Sequence, residues 1–293
     1  MQAASGSPAT LLMGVINLTP DSFSDGGRFE RPERALAQAR RLVSQGVEIL
    51  DLGAQSTRPG AEDVGAHAEQ QRLLPALRLI REAIEAGELR CSLQESGSQA
   101  PAAPLISVDT FRASVAEAAL EAGADWINDV SGGRRDPAML PLVAAARCPY
   151  VLMHSRGDSQ GMDALTDYGA AGVVAGVQAE LRQATDQALA VGVRQAQLIW
   201  DPGLGFAKTH QQNLQLLRSL ELLQADGVPL LVGPSRKRFI GAVLNEPRAQ
   251  ARIWGTAAVV ARCVAAGVAV VRVHEGRPMA QTVRMAAAIW PEG

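Results

Sequence analysis

Along the chain, short runs of leucine and β-branched residues alternate with longer alanine-rich stretches in which apolar positions recur every three or four residues. The short runs predict eight strands, at 11–17, 48–53, 105–110, 126–130, 150–154, 198–201, 230–233 and 268–274. The longer stretches predict helices at about 32–45, 66–85, 111–122, 137–146, 169–190, 212–224, 249–266 and 280–289. In the first of these, Leu36, Ala39, Leu42 and Val43 share one face. Gly46, Gly87, Gly123, Gly192 and Gly267 follow five of the helices, where a left-handed C-terminal cap is wanted.

Strands that read as near-continuous apolar runs need cover on both faces, which a barrel or a doubly wound sheet provides. Eight βα units in 293 residues favour an α/β chain folded as one (β/α)8 barrel of the TIM type, a single domain over 1–293. The open doubly wound sheet stays as the alternative. Two segments fall outside the repeat. Residues 90–104, "RCSLQESGSQAPAAP", read as a flexible insertion ahead of strand three, on the face away from any chemistry. "SRKRFIGAVLNEPRA" after strand seven is long enough for a short extra helix.

Charge narrows the picture. With 28 Lys and Arg against 30 Asp and Glu, the formal net charge is -2, which argues against a general nucleic-acid binder and makes any anion site a local one. Cys91, Cys148 and Cys263 are odd in number and widely spaced, so neither a disulfide framework nor a CxxC metal site is expected. No apolar run is long enough to span a membrane, and the first residues lack a basic segment followed by an apolar core. The expectation is a cytoplasmic enzyme of small molecules. Trp254 and Trp290, near the apolar last helices, are a candidate homodimer face.

In a barrel the chemistry sits where strands end. Those ends hold Asn17, Asp51, Asp109 with Thr110, Asn128 with Asp129, His154, Asp201, Ser235 to Lys237, and Arg272 with His274. A ring of polar groups at one mouth is costly unless a ligand uses it. The residues divide by sign. Asp109, Asn128 and Asp201 offer acceptors and one amide, suited to the amino-pyrimidinone edge of a flat heterocycle such as a pterin or a guanine; alternatively the two aspartates cap the helices that follow. Arg58, Ser235, Arg236, Lys237, Arg272 and His274 form the opposite, cationic set. Arg272 and His274 lie two apart and so leave one face of a strand, with Asn17 available as an oxygen ligand for Mg2+ bridging phosphates. P-loop, GxGxxG and HExxH motifs are absent from the sequence.

"MGVINLTPDSFSDGG", "DLGAQSTRPGA", "ISVDTFRASVAEAALEAGADWINDVSGG", "YVLMHSRG", "WDPGLGFAKT", "LLVGPSRKRFIG" and "VVRVHEG", in this order and spacing, resemble the dihydropteroate synthases of the pterin-binding enzyme family. The resemblance implies a transferase that joins 6-hydroxymethyl-7,8-dihydropterin diphosphate to 4-aminobenzoate and releases pyrophosphate, with Mg2+ as cofactor. It implies that Asp109, Asn128 and Asp201 hold the pterin edge, with Lys237 on the other side of the ring, Arg272 along its face and Met153 among the substrate contacts. Asn17, Arg272 and His274 are implied for the diphosphate and its metal, and Phe206, Lys237 and Ser235 for the aminobenzoate pocket. Phe23 and Asp25 of the first loop, and Thr57, Arg58 and Pro59 of the second, are implied as closing segments, Asp25 pairing with Arg58. Asp25, Arg58, Asp201, Lys237 and Arg272 are the expected catalytic residues. The loop after strand five and the insertion depart from compact members of the family. A methyltetrahydrofolate-dependent methyltransferase and a non-catalytic pterin-binding protein are the alternatives.

Overall fold

A computed structural model describes residues 10–19, 32–56, 63–91, 103–157 and 161–290. The strands are β1 (Leu11–Asn17), β2 (Ile49–Gly53), β3 (Leu105–Asp109), β4 (Trp126–Asp129), β5 (Tyr150–Met153), β6 (Leu198–Asp201), β7 (Leu231–Val232) and β8 (Val270–Val273). All pair in parallel, in the order β6-β5-β4-β3-β2-β1-β8-β7. A parallel bridge between Trp200 and Leu230 brings the two ends together, so the sheet is a nearly closed eight-stranded barrel. The seam is thin because β7 is only two residues long, against the four expected, and Pro229 before it has no amide hydrogen to give to the ladder.

Around the barrel run α1 (Pro32–Ser44), α2 (Ala66–Glu85), α3 (Ala113–Glu121), α4 (Met139–Ala146), α5 (Gly172–Ala190), α6 (His210–Arg218), α7 (Leu220–Gln224), α8 (Arg238–Leu244), α9 (Ile253–Ala265) and α10 (Gly276–Ile289). The five glycines expected to cap helices all have left-handed backbones, with φ between 71° and 99°. The extra helix after strand seven is α8.

One expected helix, 212–224, is two. Arg262 of α9 donates through Nε to the Leu217 carbonyl at 3.0 Å and through Nη2 to that of Arg218 at 3.4 Å. Those oxygens would otherwise serve the helix's own amides, so the helix breaks at Ser219. It also starts earlier than expected, at His210, because Thr209 and Gln212 make a reciprocal capping box.

Alternation along the strands sorts the core into two parts. Residues of one parity, among them Leu12, Leu50, Ile106, Ile127, Leu152 and Trp200, pack outward against the helices in the main core. The other parity supplies a second cluster, Met13, Ile49, Trp126, Val151, Ile199, Leu231 and Val270, which forms an apolar floor inside the barrel. The next inward position on several of those strands is polar: Asp51 and Ser107 pair in register, as do Asp109 and Asn128. A charged layer thus lies on an apolar one at the C-terminal mouth.

Asp129, of the outward parity, takes no part in that layer. Its carboxylate accepts from Tyr150 Oη at 2.7 Å and from the amides of Ser131 at 2.7 Å and Gly133 at 2.8 Å, so it shapes the loop after β4. Tyr150→Phe keeps the volume and removes one donor from a buried carboxylate. We expect a loss of about 1.5–3 kcal/mol in stability, read as a lower urea midpoint at unchanged slope.

Candidate active site

The mouth is organised by Arg272. It stands on β8, in register with Met13 of the neighbouring strand, and its long side chain crosses β1 to reach acids on β2 and β3. Nε donates to Asp51 Oδ2 at 2.6 Å and Nη2 to Asp109 Oδ2 at 2.9 Å. Burial works against the Arg272 charge, but Asp51 and Asp109 more than offset it and raise its pKa further. Asp51 is fully buried and also accepts from Ser107 Oγ at 2.7 Å and, weakly, from Asn128 Nδ2 at 3.4 Å.

This corrects the division by sign. Arg272 does not face the acids from an opposite wall; it sits among them. A carboxylate pair buried without a counter-charge would be strongly unfavourable, and Arg272 supplies one. Arg236 also leaves the expected cationic set, since Glu275 neutralises it at 2.6 Å. Asp51 itself carried no assigned role in the sequence, although it ends a predicted strand beside the same polar positions.

Asp109 remains only half satisfied. Its Oδ1 is buried and finds no hydrogen-bond partner among the described residues, an arrangement that points to a donor from a ligand. Burial pushes this carboxyl up to about 7, with Arg272 pulling the other way. The helix-cap alternative fails for it: α3 is capped by Asp136, whose Oδ2 accepts from the Ala113 amide at 2.7 Å.

Asp201, buried at the end of β6, uses Oδ1 to accept the Gly203 amide at 2.7 Å. Burial raises its pKa, while the Gly203 amide, Lys237 and Lys208 lower it. The loop that follows passes so close to β5 that a Cβ on Gly203 would lie 1.9 Å from the His154 carbonyl oxygen. Only glycine fits there, and its φ of 66° is left-handed as well. Beyond it, Phe206 lies under Lys237, with Nζ 4.5 Å from the ring centroid. Burial lowers the Lys237 pKa to about 8 against the pull of Asp201.

At the end of β8, His274 Nδ1 lies 2.9 Å from Ser235 Oγ, and Ser235 also accepts the His274 amide at 3.2 Å. Asn17 is half-buried at the end of β1, paired in register with Gly53. Met153 is buried at the end of β5, in register with Asp201. Phe23, Asp25, Thr57, Arg58 and Pro59 lie outside the described residues, as does most of the 90–104 insertion. Among the described residues no group of three His, Cys, Asp or Glu could hold a metal ion. One set went unassigned in the sequence: Lys208, His154 and Glu180, joined beneath the loop after β6. His154 ends a predicted strand, which was the available signal; Lys208 and Glu180 carried none.

Barrel and rim together are those of an enzyme of small molecules, with its polar groups gathered at the strand ends. Comparison with known proteins agrees. The family model for pterin binding enzymes matches residues 13–274. A dihydropteroate synthase of a Synechocystis species is 44% identical over 285 residues, covering 96% of this chain and 90% of that protein. The solved dihydropteroate synthase of Xanthomonas albilineans superposes with a TM-score of 0.84 at 35% identity in its structure with 4-aminobenzoic acid, covering 97% of this chain and 94% of that one. Its structure in complex with 7,8-dihydropteroate gives 0.81 at 33%, with the same coverage. The chain belongs to the pterin-binding enzymes and, within them, to the dihydropteroate synthases, transferases of folate synthesis.

The Asp109 shift has a consequence for stability. A carboxyl raised from 3.8 to about 7 on folding makes the native state bind more protons than the unfolded one between those values, so its contribution is full at low pH and is lost as pH rises towards 7. Urea unfolding of wild type and Asp109→Asn at pH 5, 6 and 7 should show the wild type losing ground to the variant with rising pH. A constant difference would contradict the shift.

Proposed function

We propose that the chain condenses 6-hydroxymethyl-7,8-dihydropterin diphosphate with 4-aminobenzoate to give 7,8-dihydropteroate and pyrophosphate, by a substitution in which the leaving group departs first. The observation that carries the reading is the unpartnered, buried Oδ1 of Asp109, set within a layer of acceptors at the barrel mouth. A pterin brings ring and amino N–H donors on one edge, which carboxylates accept side by side. In this reading Asp109, Asn128 and Asp201 hold that edge, Lys237 bonds the other side of the ring and Arg272 lies along its face, with Met153 beside it.

Asn17, Arg272 and His274 receive the diphosphate. A Mg2+ arriving with the substrate would be held by Asn17, whose amide oxygen is a hard ligand of the kind Mg2+ prefers. When bound, the ion offsets charge on the departing diphosphate. The amine of 4-aminobenzoate needs no general base to become a nucleophile, because loss of diphosphate leaves a cation delocalised into the dihydropterin ring. The protein's task is electrostatic: Asp109 and Asp201 favour that cation, while Arg272 and His274 favour the leaving group. The C–N bond forms as the amine adds to the exocyclic carbon, and the amine then loses a proton to solvent. Phe206, Lys237 and Ser235 line the aminobenzoate pocket. Phe23, Asp25, Thr57, Arg58 and Pro59 close over both substrates and exclude water that would trap the cation.

We further propose that the protein works in the cytoplasm as a homodimer. Free, buried thiols at Cys91, Cys148 and Cys263 suit a reducing compartment. No helix among the described residues is long and apolar enough to cross a membrane. Trp254 is 78% exposed on α9 and Met285 61% exposed on α10, which supports an apolar face covered by a second copy.

Calorimetry with the pterin diphosphate and Mg2+, followed by pyrophosphate release on adding 4-aminobenzoate, tests the reaction. Asp201→Asn should weaken pterin binding about 10–100-fold, the cost of removing a charged hydrogen-bond acceptor, and lower turnover, with the fold kept. Unaltered binding and kinetics in that variant would overturn the assignment; binding without pyrophosphate release in the wild type would favour a non-catalytic pterin binder.

A further inference from the structure

Beneath the loop that carries Phe206 lies a buried lysine that the reaction above does not use. Lys208 Nζ is 2.9 Å from His154 Nδ1, 3.0 Å from the Gly203 carbonyl oxygen and 2.9 Å from that of Phe206. The far side of the imidazole, Nε2, is 3.0 Å from Glu180 Oε2 on α5. A carboxylate there fixes the Nε2–H tautomer, so Nδ1 is an acceptor. Lys208 therefore faces three acceptors with three N–H bonds to give, a match that only the ammonium makes. Arg156 holds Glu180 from the solvent side, with Nε 3.0 Å from Oε1.

We propose that Lys208 is a positioning residue for 4-aminobenzoate: through the Gly203 and Phe206 carbonyls it pins the loop after β6 to the end of β5, and so sets the Phe206 ring beneath Lys237. The inference rests on the reading above that Phe206 walls the aminobenzoate pocket. The two carbonyl partners of Lys208 bracket the turn that presents Phe206, so the loop's hold on the ring depends on it. The route from Glu180 through His154 to Lys208 joins a partly exposed position on α5 to the pocket wall. Asp109 and Asn128, on β3 and β4, lie outside this route, whereas Asp201 meets it at one point, the Gly203 amide.

Lys208→Met keeps an unbranched chain one atom shorter and removes the donors. We expect amide hydrogen exchange at residues 203–206 to rise about tenfold or more while β4 and β5 stay protected. We also expect the KM for 4-aminobenzoate to rise about tenfold, and that for the pterin diphosphate to rise by a clearly smaller factor, since only Asp201 of the pterin-edge residues touches this loop, through the Gly203 amide. In a Phe206→Ala background the same substitution should add little, since both then act through one missing ring. Glu180→Gln, on the partly exposed helix, should shift exchange and KM in the same sense by a smaller factor, and serves if Lys208→Met does not fold. Wild-type exchange rates at 203–206 in the variant that folds, equal rises in both KM values, or additive effects with Phe206→Ala would each overturn the proposal. A wild type without turnover would instead sink the functional reading, and the exchange measurement would still decide whether Lys208 holds the loop.

Discussion

A guanidinium enclosed between two carboxylates is the constraint on which the barrel mouth depends. Asp51 is wholly buried and Asp109 nearly so; neither tolerates its charge there without Arg272, and Arg272 is held in place by them. The pairing spans β8, β1, β2 and β3, so it also ties together four strands at the end of the sheet where loops, not helices, lie above. Such a triad is weak support for stability, because the desolvation of its members consumes much of what their attraction returns. Its value lies in orientation. With Asp51 and one oxygen of Asp109 committed to Arg272, the remaining Asp109 oxygen is left buried and without a partner among the described residues.

Much of this was legible in the sequence, for reasons that can be named. Strands buried on both faces give themselves away as apolar runs, and eight of them between glycine-capped helices leave few architectures. Polar residues at or next to the ends of four runs marked the rim: Asn17 on β1, Asp109 on β3, Asn128 on β4 and Asp201 on β6. Parity carried information too: Asn128 points inward and Asp129 outward, and the latter serves Tyr150 and the loop after β4. What spacing does not encode is reach. Arg272 is the longest side chain at the mouth, and its crossing of β1 depends on barrel closure, a three-dimensional fact. Likewise the break at Ser219 is imposed by Arg262 from another helix, whereas the start at Thr209 was available in the T-x-x-Q pattern and follows from local chemistry. The segments with Phe23, Asp25 and Arg58 lie outside the described residues and add nothing to this comparison.

The two sides of the mouth differ in how they are fixed. Asp109, Asn128 and Asp201 stand on strands, where backbone ladders hold them. Phe206 stands on a loop, where order has to be supplied by side chains: Asn213 Oδ1 accepts the Gly205 amide at 2.7 Å, and Lys208 draws in the carbonyls on either side.

The apolar floor has an optical consequence. Of the four tryptophans, Trp126 belongs to that floor and Trp200 is sealed on the outer side of β6 with its indole N–H bonded to Thr185 at 2.8 Å, while Trp254 and Trp290 stand out from the last helices. The chain therefore carries two spectrally separable pairs of fluorophores, a blue-shifted pair inaccessible to iodide and a red-shifted pair open to it. Emission from the first follows events in the well of the barrel; emission from the second follows whatever comes to rest on its flank.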